Sequence, residues 1–175
     1  MAAVYILLPT HNRANTTVKF IKCLKAQTYT DYRLILIDDA STDNTVEACV
    51  SLLPDIIIMN GDGNLWWAGS LQKGIEYLRT KIRPKADDII VMANDDTQFE
   101  ADFLERGVRL LDVNPITLIL PKWKMGDTGE IKETGAVYDS YNFTFRASKP
   151  DEEINLFAHL LALLAKKSQL RYCIC

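Results

Sequence analysis

Short apolar runs alternate with helical stripes along most of the chain. Val4 to Leu8, Leu34 to Ile37, Ile56 to Met59, Ile89 to Met92 and Thr117 to Leu120 are rich in branched side chains and apolar at successive positions. That is the pattern of strands buried on both faces. Between them Leu71, Ile75, Leu78 and Ile82 recur at helical spacing, and Phe103, Leu104, Gly107, Val108 and Leu111 make a second stripe that can lie on a sheet. Strand alternating with helix predicts an α/β fold, a mostly parallel sheet flanked by helices. Asn44, with Glu47 three residues on, predicts a helix start, and Pro54 and Pro84 stand where helices should have stopped.

After Pro121 the texture changes. Gly126 to Gly129 reads as a turn, and Tyr141, Phe143 and Phe145 alternate as on a half-buried strand, so an antiparallel extension of the sheet is expected after residue 121. Glu152 to Lys167 is rich in Leu and Ala and predicts a helix that closes the core or docks on a partner, in preference to a membrane role.

Composition narrows the class. A chain of 175 residues, 48% hydrophobic and 25% charged, is expected to fold as a single soluble domain. Its net charge of −3 lacks the clustered excess of Lys and Arg that a grip on nucleic acid requires. Leu156 to Ala165, the longest apolar stretch, is interrupted by His159 and is too short for a bilayer, which needs about 20 residues. Met1 to Leu8 has neither a basic region nor a cleavage site and reads as a first strand, not as a signal peptide. Cys23 and Cys49 lie in amphipathic patterns, and Cys173 and Cys175 lack partners for metal or disulfide chemistry, so a reduced, frayed tail and a cytoplasmic location are expected.

Ligands of open parallel sheets bind beyond the carboxyl ends of the strands, where the strand order reverses. Strand one ends in Pro9-Thr10-His11-Asn12-Arg13, strand two in Asp38-Asp39-Ala40-Ser41-Thr42-Asp43, and strand four in Asn94-Asp95-Asp96. In the usual right-handed order the two acidic clusters flank strand one and face one crevice. Neither the glycine-rich dinucleotide fingerprint nor the phosphate-binding loop of the common nucleotide folds is present. Asp95 and Asp96 would repel a diphosphate unless a hard divalent cation bridged them to it, which predicts Mg2+ or Mn2+. His11 and His159 stand in contexts that do not suit a two-histidine metal site, and no Ser or Cys has a recognisable nucleophile setting.

The Pro-Thr-x-Asn-Arg turn, the Asp-Asp-x-Ser-x-Asp loop, the Gly-Asn-Leu-Trp-Trp-Ala-Gly segment from Gly63 to Gly69 and the Asn-Asp-Asp closing an apolar strand resemble those of the family 2 nucleotide-sugar glycosyltransferases, which have the GT-A (Rossmann-like) fold. The resemblance runs in order from about Val4 to Leu111. It implies that Pro9 and Thr10 offer main-chain contacts to a nucleotide, while Asn12 and Arg13 hold the loop or approach phosphate. Read structurally, Arg13 instead caps a helix or pairs with Asp43. Asp39 falls at the family's base-reading carboxylate and could accept the ring N–H of uracil or thymine. Asp38 then orders its loop, and Ser41, Thr42 and Asp43 serve as turn and helix-start residues.

In the third loop Gly63, Asn64 and Trp67 are the binding candidates, with one of Trp66 and Trp67 expected in the core and the other in the cleft, as neighbours on an extended chain point oppositely. Asn94-Asp95-Asp96 stands at the family's Asp-x-Asp. By resemblance Asp96 ligates the metal and Asp95 contacts ribose or sugar, Asn94 replaces the motif's first acid, and Thr97 suits a helix start.

Transfer with inversion also needs a base to take the acceptor's hydroxyl proton. Asp139, Asp151, Glu152 and Glu153 are among the downstream acids, and none of these four sits in a segment that matches the family's acceptor half. The expected organisation is one GT-A-like domain over 1–175. Residues 1–113 form the nucleotide-sugar-binding half, and 114–175 form a partial or truncated acceptor-side region. The expected donor is a UDP- or dTDP-sugar and the acceptor a glycan or lipid-linked hydroxyl. A peripheral position at the inner face of the membrane and a homo-oligomer are both compatible with the sequence. The alternative is a noncatalytic or truncated nucleotide-sugar-binding module.

Overall fold

The computed structural model describes residues 2–113 and, beyond them, the backbone of six short strands. Strands and helices alternate through the first part: β1 (Val4–Thr10), α1 (Ala14–Lys25), β2 (Tyr32–Asp38), α2 (Thr45–Leu52), β3 (Ile57–Asn60), α3 (Trp66–Tyr77) continued by a π-helical turn (Leu78–Ile82), β4 (Ile89–Met92) and α4 (Phe103–Val113). The later strands are β5 (Leu118–Ile119), β6 (Trp123–Lys124), β7 (Ile131–Lys132), β8 (Ala136–Asp139), β9 (Thr144–Ala147) and β10 (Arg171–Ile174). Six of the ten form one sheet in the order β3-β2-β1-β4-β10-β5, and every pairing in it is parallel.

Side-chain alternation along β1 decides the layers. Val4, Ile6 and Leu8 face a core with Phe20, Ile21 and Leu24 of α1, Cys49 of α2 and Leu104 and Leu111 of α4. Tyr5 and Leu7 face the opposite core, with Leu71 of α3 and Leu78 of its π-helical turn. The sheet is thus a buried middle layer, with α1, α2 and α4 on one side and α3 on the other. In α1 the buried positions Thr17, Phe20, Ile21 and Leu24 repeat at three- and four-residue spacing, and Lys22 and Lys25 stand in the last turn, where the helix dipole favours positive charge.

The predicted α/β architecture is present, with three differences from the sequence reading. After residue 121 the antiparallel pairs β6–β7 and β8–β9 are separate two-stranded ladders, not strands added to the main sheet. The chain around Cys173 is not a frayed tail: Arg171–Ile174 pairs in parallel with both β4 and β5. And α2 starts at Thr45 without a side-chain bond from Asn44. The expected Gly126–Gly129 turn and the Glu152–Lys167 helix lie outside the described residues. Among those described, no helix is long and apolar enough to cross a membrane.

The strand order places the reversal between β1 and β4. Pairing of β1 with β4 ends at Leu7↔Met92, whereas pairing with β2 continues to Thr10↔Asp38. Pro9, which has no N–H to give, stands in the part of β1 that β4 no longer accompanies. The strands therefore part at their carboxyl ends.

Candidate functional site

A cleft of about 390 Å³ opens at that parting. Of the expected residues, Pro9, Thr10, Arg13, Asp39, Trp67, Asn94, Asp95 and Asp96 line it. Asn12, Gly63 and Asn64 are not in the wall, while His11, Trp66 and Ser70 are.

Asp95 is 4% exposed, and its carboxylate is surrounded by donors. Thr17 donates to Oδ2 at 2.9 Å, Thr10 at 3.4 Å, and the Arg13 Nε lies 3.2 Å from Oδ1. Burial pushes the Asp95 carboxyl above the ordinary carboxylate range; the Thr17 hydroxyl and then the Arg13 charge oppose that shift. Arg13 also reaches Asp96, with Nη2 3.3 Å from Oδ2. It neither caps α1 with its side chain nor pairs with Asp43. Its backbone instead starts α1, accepting the Thr16 and Thr17 N–H groups, which leaves the guanidinium to bridge the two acids.

Asp39 is as buried as Asp95 but faces a different task. Its Oδ1 accepts the Gly63 N–H at 2.8 Å, and its Oδ2 accepts those of Leu65 and Trp66, both at 3.0 Å. One carboxylate therefore fastens the third loop to the second. The fit is close: a Cβ on Gly61 would stand 2.3 Å from Asp39 Oδ1. Asp38 orders its own loop by accepting the Ser41 N–H at 3.1 Å, as expected.

Asn12 ties the first two loops together from outside the cleft. Its Oδ1 accepts from Thr42 N at 2.7 Å, Thr42 Oγ1 at 3.2 Å and Asp43 N at 3.2 Å, from a left-handed backbone (φ 51) that Asn tolerates better than most residues. His11 completes the tie: Nδ1 meets the Asp39 carbonyl at 2.5 Å and Nε2 meets Asn12 Nδ2 at 3.0 Å, which assigns the proton to Nδ1.

The tryptophans depart from expectation. Trp66 is 80% exposed and Trp67 46%, and both line the cleft; neither is core. Extended-chain alternation does not apply, because the pair opens α3, where successive residues turn by about 100°. Trp66 holds φ 54, a costly backbone for a bulky side chain, with its N–H bound to Asp39. Thr97 starts no helix: α4 begins at Phe103, where the Gln27 Oε1 accepts the Leu104 N–H at 2.9 Å.

A hard divalent cation takes oxygen ligands, and magnesium commonly uses one or two carboxylates plus substrate phosphates and water. Among the described residues no three His, Cys, Asp or Glu side chains cluster to hold a metal alone. Asp96 fits the lesser requirement, since its side chain is 60% exposed at the cleft and Arg13 engages only Oδ2. Asp95, buried and bonded on both oxygens, offers little.

The chain belongs to glycosyl transferase family 2, whose sequence profile matches residues 5–168, well past the Leu111 at which the recognisable motifs end. Solved structures share its fold. TarS of S. aureus aligns with a TM-score of 0.58 and 14% identity, covering 79% of this chain and 24% of that one. TarS 1-349 in complex with UDP aligns at 0.59 and 13%, covering 73% and 38%, and TarS 1-349 alone at 0.59 and 14%, covering 79% and 41%. This chain thus spans less than half the length of each of these three structures.

Proposed function

We propose that the cleft binds the nucleoside diphosphate of a sugar donor and serves transfer of the sugar, with inversion, to a hydroxyl of a glycan or lipid-linked acceptor. The observation that carries this reading is the Arg13–Asp95–Asp96 group standing beside an open cleft where β1 and β4 part. Asp39 supports the base end: three of a carboxylate's roughly four acceptor positions are filled by backbone N–H groups, leaving one on Oδ1 for the ring N–H of uracil or thymine. UDP is the nucleotide bound by the TarS fragment, which makes a UDP-sugar the first donor to test, with a dTDP-sugar second.

Arg13 supplies the positive charge for the diphosphate, exchanging its contact with Asp96 for phosphate oxygens. Asp96 would then hold Mg2+ or Mn2+, a cation that supplies neutralisation of the departing diphosphate. Asp95 keeps Arg13 and the end of β1 in place and, at its edge, meets ribose or sugar.

A thermal-shift screen of nucleoside-diphosphate sugars with and without Mn2+ tests this, because a ligand that binds only the folded state raises Tm. A UDP- or dTDP-sugar is expected to raise Tm more with Mn2+ than without, and Asp96→Ala to abolish the Mn2+-dependent part. If no nucleotide raises the Tm of the wild type, the reading fails.

The second reading, a noncatalytic nucleotide-sugar-binding module, is favoured by one feature. The only carboxylates in the cleft wall among the described residues are Asp39, Asp95 and Asp96, which the donor reading already assigns to the base, to Arg13 and to the cation, so it leaves no further one there to take the acceptor's proton. Asp151, Glu152 and Glu153 lie outside the described residues, and Asp139 lies in β8. Binding without turnover would select this second reading.

A further inference from the structure

Ser70 is the polar residue of the cleft wall that the motifs do not mark. It is 1% exposed, and its Oγ has no hydrogen-bond partner among the described residues. Its surroundings make this unusual. The other buried polar groups of the wall are bonded: Thr10 to Thr17 and Asp95, Asp95 to Thr17 and Arg13, Asp39 to three backbone N–H groups.

A helical hydroxyl ordinarily satisfies itself by donating to the carbonyl four residues back. Ser51 does so to Glu47 at 2.8 Å and Thr80 to Glu76 at 2.8 Å. Ser70 sits inside α3 with the same option and makes no such bond to Trp66. A buried hydroxyl left unmet is a cost to folding, and native structures retain few of them.

The position of Ser70 says which part of a ligand would meet it. Ser70 follows Trp66 by four residues and so stacks above it on the same face of α3. Trp66 is tied through its N–H to Asp39 Oδ2, and both line the cleft. Ser70 therefore stands one helical turn from the residue whose N–H Asp39 holds, and it shares the cleft wall with Asp39.

We infer that Ser70 is a base-selecting residue whose hydroxyl donates to a ring carbonyl of uracil or thymine while Asp39 accepts the adjacent ring N–H. This rests on the nucleotide-sugar reading and adds to it a donor matched to Asp39's acceptor. Uracil and thymine offer C=O beside N–H along one edge. Cytosine offers C=O beside an unprotonated ring nitrogen, which would face the Asp39 carboxylate lone pair to lone pair.

Titration calorimetry with UMP, CMP, UDP and UDP-glucose on wild type and Ser70→Ala tests it. Wild type should prefer UMP to CMP. Ser70→Ala should weaken UMP by about 3- to 10-fold, the size of one neutral hydrogen bond, and weaken UDP and UDP-glucose by the same factor, since the base is common to all three. The unliganded Tm should hold or rise, because the unmet hydroxyl is gone. Equal UMP affinity in variant and wild type overturns the inference while leaving the nucleotide reading standing. So does a loss confined to UDP-glucose, which would place Ser70 on the sugar. Failure of the wild type to bind UDP or UDP-glucose overturns both.

Discussion

Asp43 is one exposed carboxylate at the start of two helices. Its Oδ2 accepts the Ala14 N–H at 3.3 Å at the head of α1, and its Oδ1 accepts the Thr45 N–H at 3.0 Å and the Thr45 hydroxyl at the head of α2. The Thr45 hydroxyl is the main reason its carboxyl is held below the usual carboxylate range. A group depressed in this way contributes stability that is present above its unfolded pKa and lost as pH falls through the folded one. Asp43→Ala should therefore melt below wild type at neutral pH, with the deficit closing as pH drops below about 4, where wild type loses the same charge. A deficit independent of pH across that window would show that the carboxylate charge contributes nothing. The sequence marked Asp43 as a helix-start residue and also offered Asn44 with Glu47. Both explain a helix beginning at Thr45, and only the path of the neighbouring loop, which brings Ala14 alongside, makes Asp43 the shared cap.

At the scale of elements, α3 decides the shape of the cleft, and Gly74 decides how close α3 lies. A Cβ there would stand 2.9 Å from Leu7 Cδ2 and 3.3 Å from Ile37 Cδ1, so the helix rests on β1 and β2 at a distance at which any larger residue makes the Leu7 side chain shift. Gly74→Val is expected to cost about 1–3 kcal/mol in urea unfolding by overpacking, and to weaken nucleotide binding as the helix lifts Ser70 and the tryptophans. Unchanged stability would mean the interface yields freely. The stripe Leu71, Ile75, Leu78, Ile82 was enough to place this helix, because burial against a sheet imposes the helical period. It could not place the tryptophans, since their exposure depends on where the helix begins, and that is set by Asp39, a residue from another loop, binding the Leu65 and Trp66 N–H groups.

Across the molecule, β1 is supported on every side: β2 and β4 pair with it on both edges, and it has a core on each face. Its amides should therefore exchange with solvent only on global unfolding, later than those of β3 at the edge, in native-state hydrogen exchange read residue by residue. Fast exchange in Ile6 to Leu8 would contradict this layering. Five apolar runs and the order of the motifs determined, without coordinates, a parallel α/β sheet with acidic loops on either side of β1, because those features follow from local periodicity and from the handedness of crossover connections. Tertiary structure alone decided that Asn12 ties loops instead of lining the cleft, that Arg13 bridges Asp95 and Asp96, that the strand at Arg171–Ile174 inserts between β4 and β5, and that the Ser70 hydroxyl meets no partner among the described residues. Each of these is a relation between segments distant in the chain, and no local pattern records which of several polar partners a side chain will meet once the backbone is folded.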